Sequence, residues 1–156
     1  MSLSPTSFPE QARTLGALLR LPYQRLSKRL YAEMAAGGFG EIRPSHSVVF
    51  RHLSPEGSRL TDLAEVSGLT KQSMAYLVEH LVRHDYVTVG ADPVDRRAKR
   101  VLLTQRGQVF MKALLAASAR LEEELEKKIG RTKLQNLRTA LTELDQAILT
   151  LPEQPE

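Results

Sequence analysis

A cluster of cations lies in a long loop in the second half of the sequence. Arg96, Arg97, Lys99 and Arg100 stand close together, where the loop leads into a β-prone segment. A loop does not offer the pairing that a helix allows between side chains three or four residues apart. A cation at a hairpin tip can instead enter a DNA minor groove, whose negative potential is strongest over A/T-rich sequence. We predict this contact for the first three cations, with Asp95 orienting Arg97 or bracing the loop; a solvated charged loop is the alternative.

A short amphipathic helix before this loop offers a second group of polar side chains. Met74, Leu77, Val78 and Leu81 form one apolar stripe, which must face a core. Glutamine can bond adenine at two points in the major groove, lysine can reach guanine acceptors, and a helix N-terminus favours a phosphate. A solvated polar face is the alternative, and the basic loop that follows favours recognition of DNA. The residues predicted to contact DNA on this helix are Thr70, Lys71, Gln72, Ser73, Ala75 and Tyr76.

Two histidine pairs give weak metal signals. His80 and His84 lie four residues apart, a spacing that can hold a metal on a helix, and His46 and His52 lie in another short helix. No second acidic or histidine pair accompanies them, so surface histidines near phosphates are the simpler interpretation of the first pair. The chain has no cysteine, no glycine-rich phosphate loop and no nucleophile elbow. We predict no metal, no cofactor and no enzymatic activity.

Length and composition limit the class of protein. The 156 residues carry a formal net charge of +4, and aromatic residues make up only 5% of them, so aliphatic side chains must supply most of the core. We expect one compact domain, or a small domain with a dimerisation element. Residues 1–9 are predicted to be a loose tail. The sequence shows neither a signal peptide nor an apolar run of membrane-spanning length, and we expect a cytoplasmic protein with no membrane partner.

Helical periodicity dominates the first third of the chain. Apolar residues recur at helical spacing from about residue 10 to residue 36. Pro22 is predicted to kink this helix or to start a new first turn, and Gly37 and its neighbours end it. A short helix over 44–53, with proline at its first position, and a turn over 54–57 are predicted next.

Residues 58–84 contain two short helical patterns separated by a glycine. Thr61 is predicted to cap the first helix and Thr70 the second. Gly68 can adopt the left-handed conformation that ends the first helix. The predicted apolar members of the first helix are Leu63, Ala64 and Val66.

The pattern then changes to a β-hairpin followed by long helices. The β-prone segments are 86–89 and 100–103, and they flank the basic loop. Thr104 is predicted to cap a long helix that ends at about Ile129, and a last helix runs over 132–149. The fold class is therefore mainly α with a small β-hairpin.

The last helix carries an apolar seam whose members alternate steps of three and four residues, the pattern that packs against another helix. The rest of the chain offers little to cover it, which favours a second copy of the chain as the partner. Packing against the preceding helix of the same chain is the alternative. The seam consists of Leu134, Leu137, Leu141, Leu144 and Ile148.

Residues 58–107 resemble the MarR family of bacterial regulators. The likeness rests on the sequences of 69–74, 77–81 and 86–87 and, above all, on the Asp-x-Arg wing pattern that precedes an L-T-x-x-G helix start within 92–107. Helix order and length extend it over nearly the whole chain. The resemblance implies a DNA-binding transcriptional regulator that acts as a repressor, binding a pseudo-palindromic operator on double-stranded DNA as a homodimer.

The same resemblance implies how the single chain, 1–156, is divided. A winged helix-turn-helix region spans about 43–104, and the segments 10–36 and 105–151 form a helical dimerisation region. Arg97 is implied as the wing-tip contact in the minor groove, a role that Arg96 can share. A small aromatic or acidic effector is implied to modulate DNA affinity, with no pocket residue assigned.

Two residues depart from the family pattern. Tyr76 stands where many members carry arginine or another polar residue, so base preference does not carry over. Asp85 replaces the glycine usual after the recognition helix, and aspartate tolerates the left-handed conformation that this turn needs. A winged-helix module that binds an acidic protein instead of DNA is the alternative function, because fold alone does not fix function.

Overall fold

The computed structural model describes residues 13–92, 94–95 and 98–152. They form a mostly helical fold with a small antiparallel sheet, which confirms the predicted fold class. The chain divides into two compact units, the first ending at Ala117 and the second beginning at Ser118. None of the helices among the described residues is long and apolar enough to span a membrane.

The first unit begins with α1, Leu15–Met34. Thr14 caps it, and the helix continues through Pro22, so proline does not start a new first turn as one prediction had it. A wider helical turn, Ala35–Phe39, follows and contains Gly38 at φ 93°. Only a residue without a Cβ adopts that conformation at low cost, which explains why the helix changes course at this point.

A short helical stretch and a turn lead from α1 to the sheet. A 3-10 turn, Pro44–His46, runs into α2, Ser47–His52, with proline at its first position as predicted. The amide of Gly57 then donates to the carbonyl of Ser54 at 3.0 Å and closes the predicted turn.

Two helices and a preceding two-residue strand follow. Strand β1 is Ser58–Arg59, α3 is Leu60–Ser67 and α4 is Lys71–Arg83. The prediction that Thr61 caps α3 is wrong: the helix begins two residues earlier than that cap implies, at Leu60, and Arg59 is its N-cap. Strand pairing fixes this boundary, since β1 pairs with a strand that comes much later in the chain.

The wing is a three-stranded antiparallel sheet among the described residues. Strand β2, Val87–Ala91, pairs with β3, Lys99–Leu103, and β3 also pairs with β1. The hairpin is confirmed, whereas β1 was not predicted. Asp85 holds φ 60° between α4 and β2, the left-handed conformation expected of it.

The core of the first unit is mostly aliphatic, with an aromatic centre. Phe110 contacts the rings of Phe39, Phe50 and Tyr86 with centroid distances of 4.9–5.5 Å. Of the predicted apolar members of α3, Leu63 and Ala64 are buried, whereas Val66 is 59% exposed.

Two long helices complete the described chain. Helix α5 is Gln105–Ile129, and the Thr104 hydroxyl accepts from the amide of Gly107 at 3.0 Å, as expected of its cap. Helix α6 is Arg131–Leu149. Within the second unit, Arg138 pairs with Glu122, one helix against the other.

Candidate nucleic-acid interface

The first turn of α4 is fixed by its cap. The Thr70 hydroxyl accepts from the Ser73 amide at 3.1 Å and donates to the Ser73 hydroxyl at 2.8 Å. Lys71 and Gln72 are exposed within this turn, and Tyr76, one turn further along, is 72% exposed. The sequence prediction of an exposed polar face at the start of this helix is confirmed.

Burial of the opposite face determines where these side chains point. Met74, Val78 and Leu81 are each at most 4% exposed, and Leu77 is half-buried. Rotating the helix would expose this stripe to water, which would cost roughly 1.5–3 kcal/mol of free energy for each large apolar side chain. The polar face is therefore held outward. Ala75 is half-buried and lies beside a small apolar groove between α4 and the sheet.

One of the three cations predicted to contact DNA from the wing lies among the described residues. Lys99 is exposed at the start of β3, whereas Arg96 and Arg97 lie outside the described residues. The loop is closed by two backbone hydrogen bonds, from the Asp92 amide to the Ala98 carbonyl at 3.0 Å and from the Ala98 amide to the Asp95 carbonyl at 2.9 Å. Asp95 itself is exposed.

Asp92, which the sequence reasoning missed, is the buried carboxylate of the wing. Its Oδ2 accepts from Arg59 Nε at 2.8 Å and from Arg100 Nε at 2.9 Å. Its Oδ1 accepts from the amides of Val94 at 2.8 Å and Asp95 at 3.1 Å. The bond from Arg59 contributes most to holding the pKa of Asp92 well below its usual range, followed by the two amides and Arg100. The group is therefore ionised at neutral pH.

A second polar network joins Glu41, Tyr86 and Arg106, which come from three separate segments of the first unit. The carboxylate of Glu41 accepts from the Tyr86 hydroxyl at 3.0 Å, and Arg106 at the start of α5 reaches both groups at 3.1–3.4 Å. Arg106 also lies over the Tyr86 ring, 4.8 Å from its centroid. No sequence pattern signals this set, because its members are far apart in the chain.

Three histidines lie next to this network and contact one another. His80 Nε2 lies 2.8 Å from the Glu41 carbonyl, and its ring stacks on His46 at 4.3 Å and contacts His84 at 4.6 Å. His80 is thus a half-buried packing residue, so the interpretation of it as a surface histidine is wrong. Burial, then His80 and Arg43 nearby, lowers the pKa of His46 to about 4. Among the described residues, no group of three or more histidines or carboxylates is arranged to hold a metal.

An open cleft lies beside the exposed face of α4. Its volume is about 740 Å³, and its walls come from α1, α2, the turn after α3 and α4 itself. Tyr23 and Tyr76 supply aromatic surface, Arg51 supplies a cation, and Ser47 and Gln72 supply hydrogen-bonding groups. Polar and apolar surface of this kind suits a small ligand.

Comparisons with known proteins agree with this arrangement. The model of the MarR family matches residues 42–98, which include the 3-10 turn, α2 to α4, β1 and β2 but not β3. No curated protein sequence matches the chain significantly.

Solved structures extend the likeness to most of the chain. The transcriptional repressor CouR, bound to a 23-mer DNA duplex, is 22% identical, with a TM-score of 0.69 over 91% of this chain and 99% of that one. A probable transcriptional regulator from Pseudomonas aeruginosa is 21% identical, with a TM-score of 0.66 over 86% of this chain and 98% of its own. A MepR variant from S. aureus, bound to an oligodeoxyribonucleotide, is 17% identical, with a TM-score of 0.55 over 86% and 98%. At these identities the likeness establishes the fold.

Proposed function

We propose that this chain, whose residues 42–98 match the model of the MarR family, is a sequence-specific DNA-binding transcriptional regulator of that family. In this proposal α4 enters the major groove and the wing contacts the adjacent minor groove. A repressor role is part of the proposal, with a homodimer on a pseudo-palindromic operator. A winged helix-turn-helix dimer places its two half-sites about one helical turn of DNA apart.

The observation that carries the proposal is the outward, polar start of α4 beside the wing. The buried stripe from Met74 to Leu81 leaves Lys71, Gln72 and Tyr76 to face away from the core. These side chains supply a cation, an amide and an aromatic ring, and the helix N-terminus adds a site for a phosphate. A winged-helix module that binds only proteins has no need for base-reading groups at this position.

A salt titration tests DNA binding directly. The affinity for an operator duplex should fall steeply with salt, with a log–log slope of about −0.9 for each phosphate neutralised. Replacing Lys71 with Gln should make this slope shallower by about one such contact. Replacing Arg97, placed at the wing tip by the family resemblance, with Ala should weaken binding further. Binding to an acidic protein that DNA does not displace would instead support the protein-interaction alternative.

Two exposed apolar surfaces support self-association. On α6, Leu137 is 49% and Leu141 41% exposed, and both belong to the predicted seam. On α1, Leu15 and Leu18 are 56% and 58% exposed. Contiguous exposed apolar residues of this kind mark association surfaces, and a second copy of the chain supplies an equally apolar counterpart.

We place the effector in the cleft beside α4. An aromatic carboxylate fits its lining, because Arg51 can bind the carboxylate while Tyr23 and Tyr76 contact the ring. Arg51 has no ion-pair partner among the described residues. Gln72, Ser73 and Tyr76 also line the cleft, so a ligand bound there occupies the surface that would face DNA. We propose that effector and DNA compete for it.

A competition assay distinguishes this mechanism from an indirect one. With a benzoate or cinnamate as probe, the apparent dissociation constant for DNA should rise in proportion to probe concentration without reaching a plateau. An effect that saturates would indicate a separate allosteric site. Arg51→Gln should abolish the response, as should replacing the probe's carboxylate with an amide. Lys112→Gln, which removes an exposed cation outside the cleft, should leave it intact.

A further inference from the structure

Two arginines of the wing are paired with one buried acid. Arg59 belongs to β1 and Arg100 to β3, and the Nε atom of each donates to the same oxygen of Asp92. The Asp92 side chain is fully buried, whereas the two arginine side chains are 37% and 26% exposed. An exposed guanidinium would normally be available to a phosphate. Here each one has a carboxylate partner within 2.9 Å.

The second oxygen of Asp92 serves a different purpose. It accepts from the backbone amides of Val94 and Asp95 and so fixes the start of the wing loop. One side chain therefore combines a turn-forming oxygen with an oxygen that pairs two cations. An asparagine at this position would keep an acceptor for the amides, but its NH₂ group would face the two arginines with donors only.

We propose that Asp92 withholds Arg59 and Arg100 from the DNA backbone, and thereby makes binding depend on base sequence more than on charge. The proposal rests on the proposed function, since it concerns which cations contact DNA. Phosphate contacts are independent of sequence, so each cation kept from the backbone lowers affinity for random DNA. The wing then contributes through its tip and through Lys99, in the geometry that Asp92 sets.

Three variants test whether Lys99 contacts the DNA backbone while Arg59 and Arg100 do not. The slope of log affinity against log salt is measured on an operator, selected by the wild-type protein from random DNA, and on a random duplex of equal length. Lys99→Gln should make the slope shallower by about 0.9, whereas Arg59→Gln should leave it unchanged. Asp92→Asn should make it steeper by up to about 1.8, the value for two phosphates, and should reduce the operator-to-random ratio at least tenfold.

Two results would overturn the proposal. One is an Arg59→Gln slope as shallow as that of Lys99→Gln, which would show that Arg59 contacts a phosphate. The other is an Asp92→Asn protein with the wild-type slope and ratio. If Asp92→Asn does not fold, as judged by circular dichroism, the salt slopes of Arg59→Gln and Lys99→Gln still show whether Arg59 contacts a phosphate. Glu65→Gln removes one exposed negative charge from α3 and should change the ratio little. A wild-type protein that does not distinguish the two duplexes would instead reject the proposed function.

Discussion

The two compact units of the chain differ in how far their apolar residues are buried. In the first unit, Phe110, Leu63 and Met74 are completely buried around a shared core. Among the described residues from Ser118 onward, only Leu121 is a buried apolar residue, while Leu137 and Leu141 remain nearly half exposed. The first unit thus buries a core of its own, although α1 leaves Leu15 and Leu18 more than half exposed, whereas the second unit leaves most of its apolar residues uncovered.

This difference shows how stability and assembly are divided. A helix with an uncovered apolar face contributes little to the stability of an isolated chain, because its burial requires a partner. The winged part needs a rigid core, since base contacts depend on where the helix is held. Substitutions in the buried core of the first unit should therefore affect unfolding, and substitutions in the exposed seam of α6 should affect association.

The largest expected effect is on the core. Phe110→Ala should lower the free energy of unfolding by about 3–5 kcal/mol, because it leaves a cavity among three aromatic rings. Urea denaturation measures the loss. Val109→Ala, the neighbouring and 48% exposed residue, should cost much less. Equal costs for the two variants would contradict the packing described for this unit.

A substitution in the seam of α6 should weaken association of the chains, whereas the core substitution lowers the free energy of unfolding. Leu141→Glu should raise the dimer dissociation constant by roughly 100-fold, because a charge would lie in an apolar interface. Sedimentation equilibrium measures this change. Thr139→Glu lies on the other side of α6 and serves as the control. A Leu141→Glu protein that dimerises as tightly as the wild type would show that this seam is not the interface.

The smallest of these effects is a pH dependence of the first unit. His46 has a pKa of about 4 in the folded chain and about 6.5 when unfolded, so the unfolded chain binds more protons between these values. Unfolding should become easier by about 1–2 kcal/mol as the pH falls from about 7 to about 5. The pKa values of Asp92 and Glu41 are also lowered by folding. These carboxylates lose their contribution only below their ordinary values, which lie under this window.

Thermal melts at the two pH values measure the effect. His46→Gln should flatten the dependence, while His52→Gln, on the adjoining helix, should keep it. The seam residues do not titrate, so α6 should show no corresponding change in association. A His46→Gln protein with an unchanged pH dependence would locate the titrating group elsewhere.

Local signals account for most of what the sequence predicted correctly. The Thr70 cap, the left-handed Gly68 at φ 67° and the Thr104 cap each depend on a few neighbouring residues. The apolar stripe of α4 repeats often enough to define its buried face. The hairpin was predictable because two β-prone segments flank a loop rich in turn residues.

What the sequence did not reveal depends on distant pairing. Strand β1 has two residues, too few for any periodicity, and exists because it pairs with β3. The same pairing brings Arg59 to Asp92, 33 positions away, and so decides that Asp92 is buried at the wing. Asp95, the acid chosen from the sequence, stands in the same loop, and local sequence alone does not separate the two. Glu41, Tyr86 and Arg106 are likewise joined only by the fold.

Selection of binding sites from a random DNA library, with wild-type protein and Gln72→Ala in parallel, tests the central claim most directly. The wild-type protein should enrich an inverted repeat with half-sites about one helical turn apart. Gln72→Ala should relax the preference at the same position in both half-sites, at a cost of about 1–3 kcal/mol for the preferred base. Identical enriched sequences for the two proteins, or no enrichment by the wild type, would contradict the claim that α4 reads DNA.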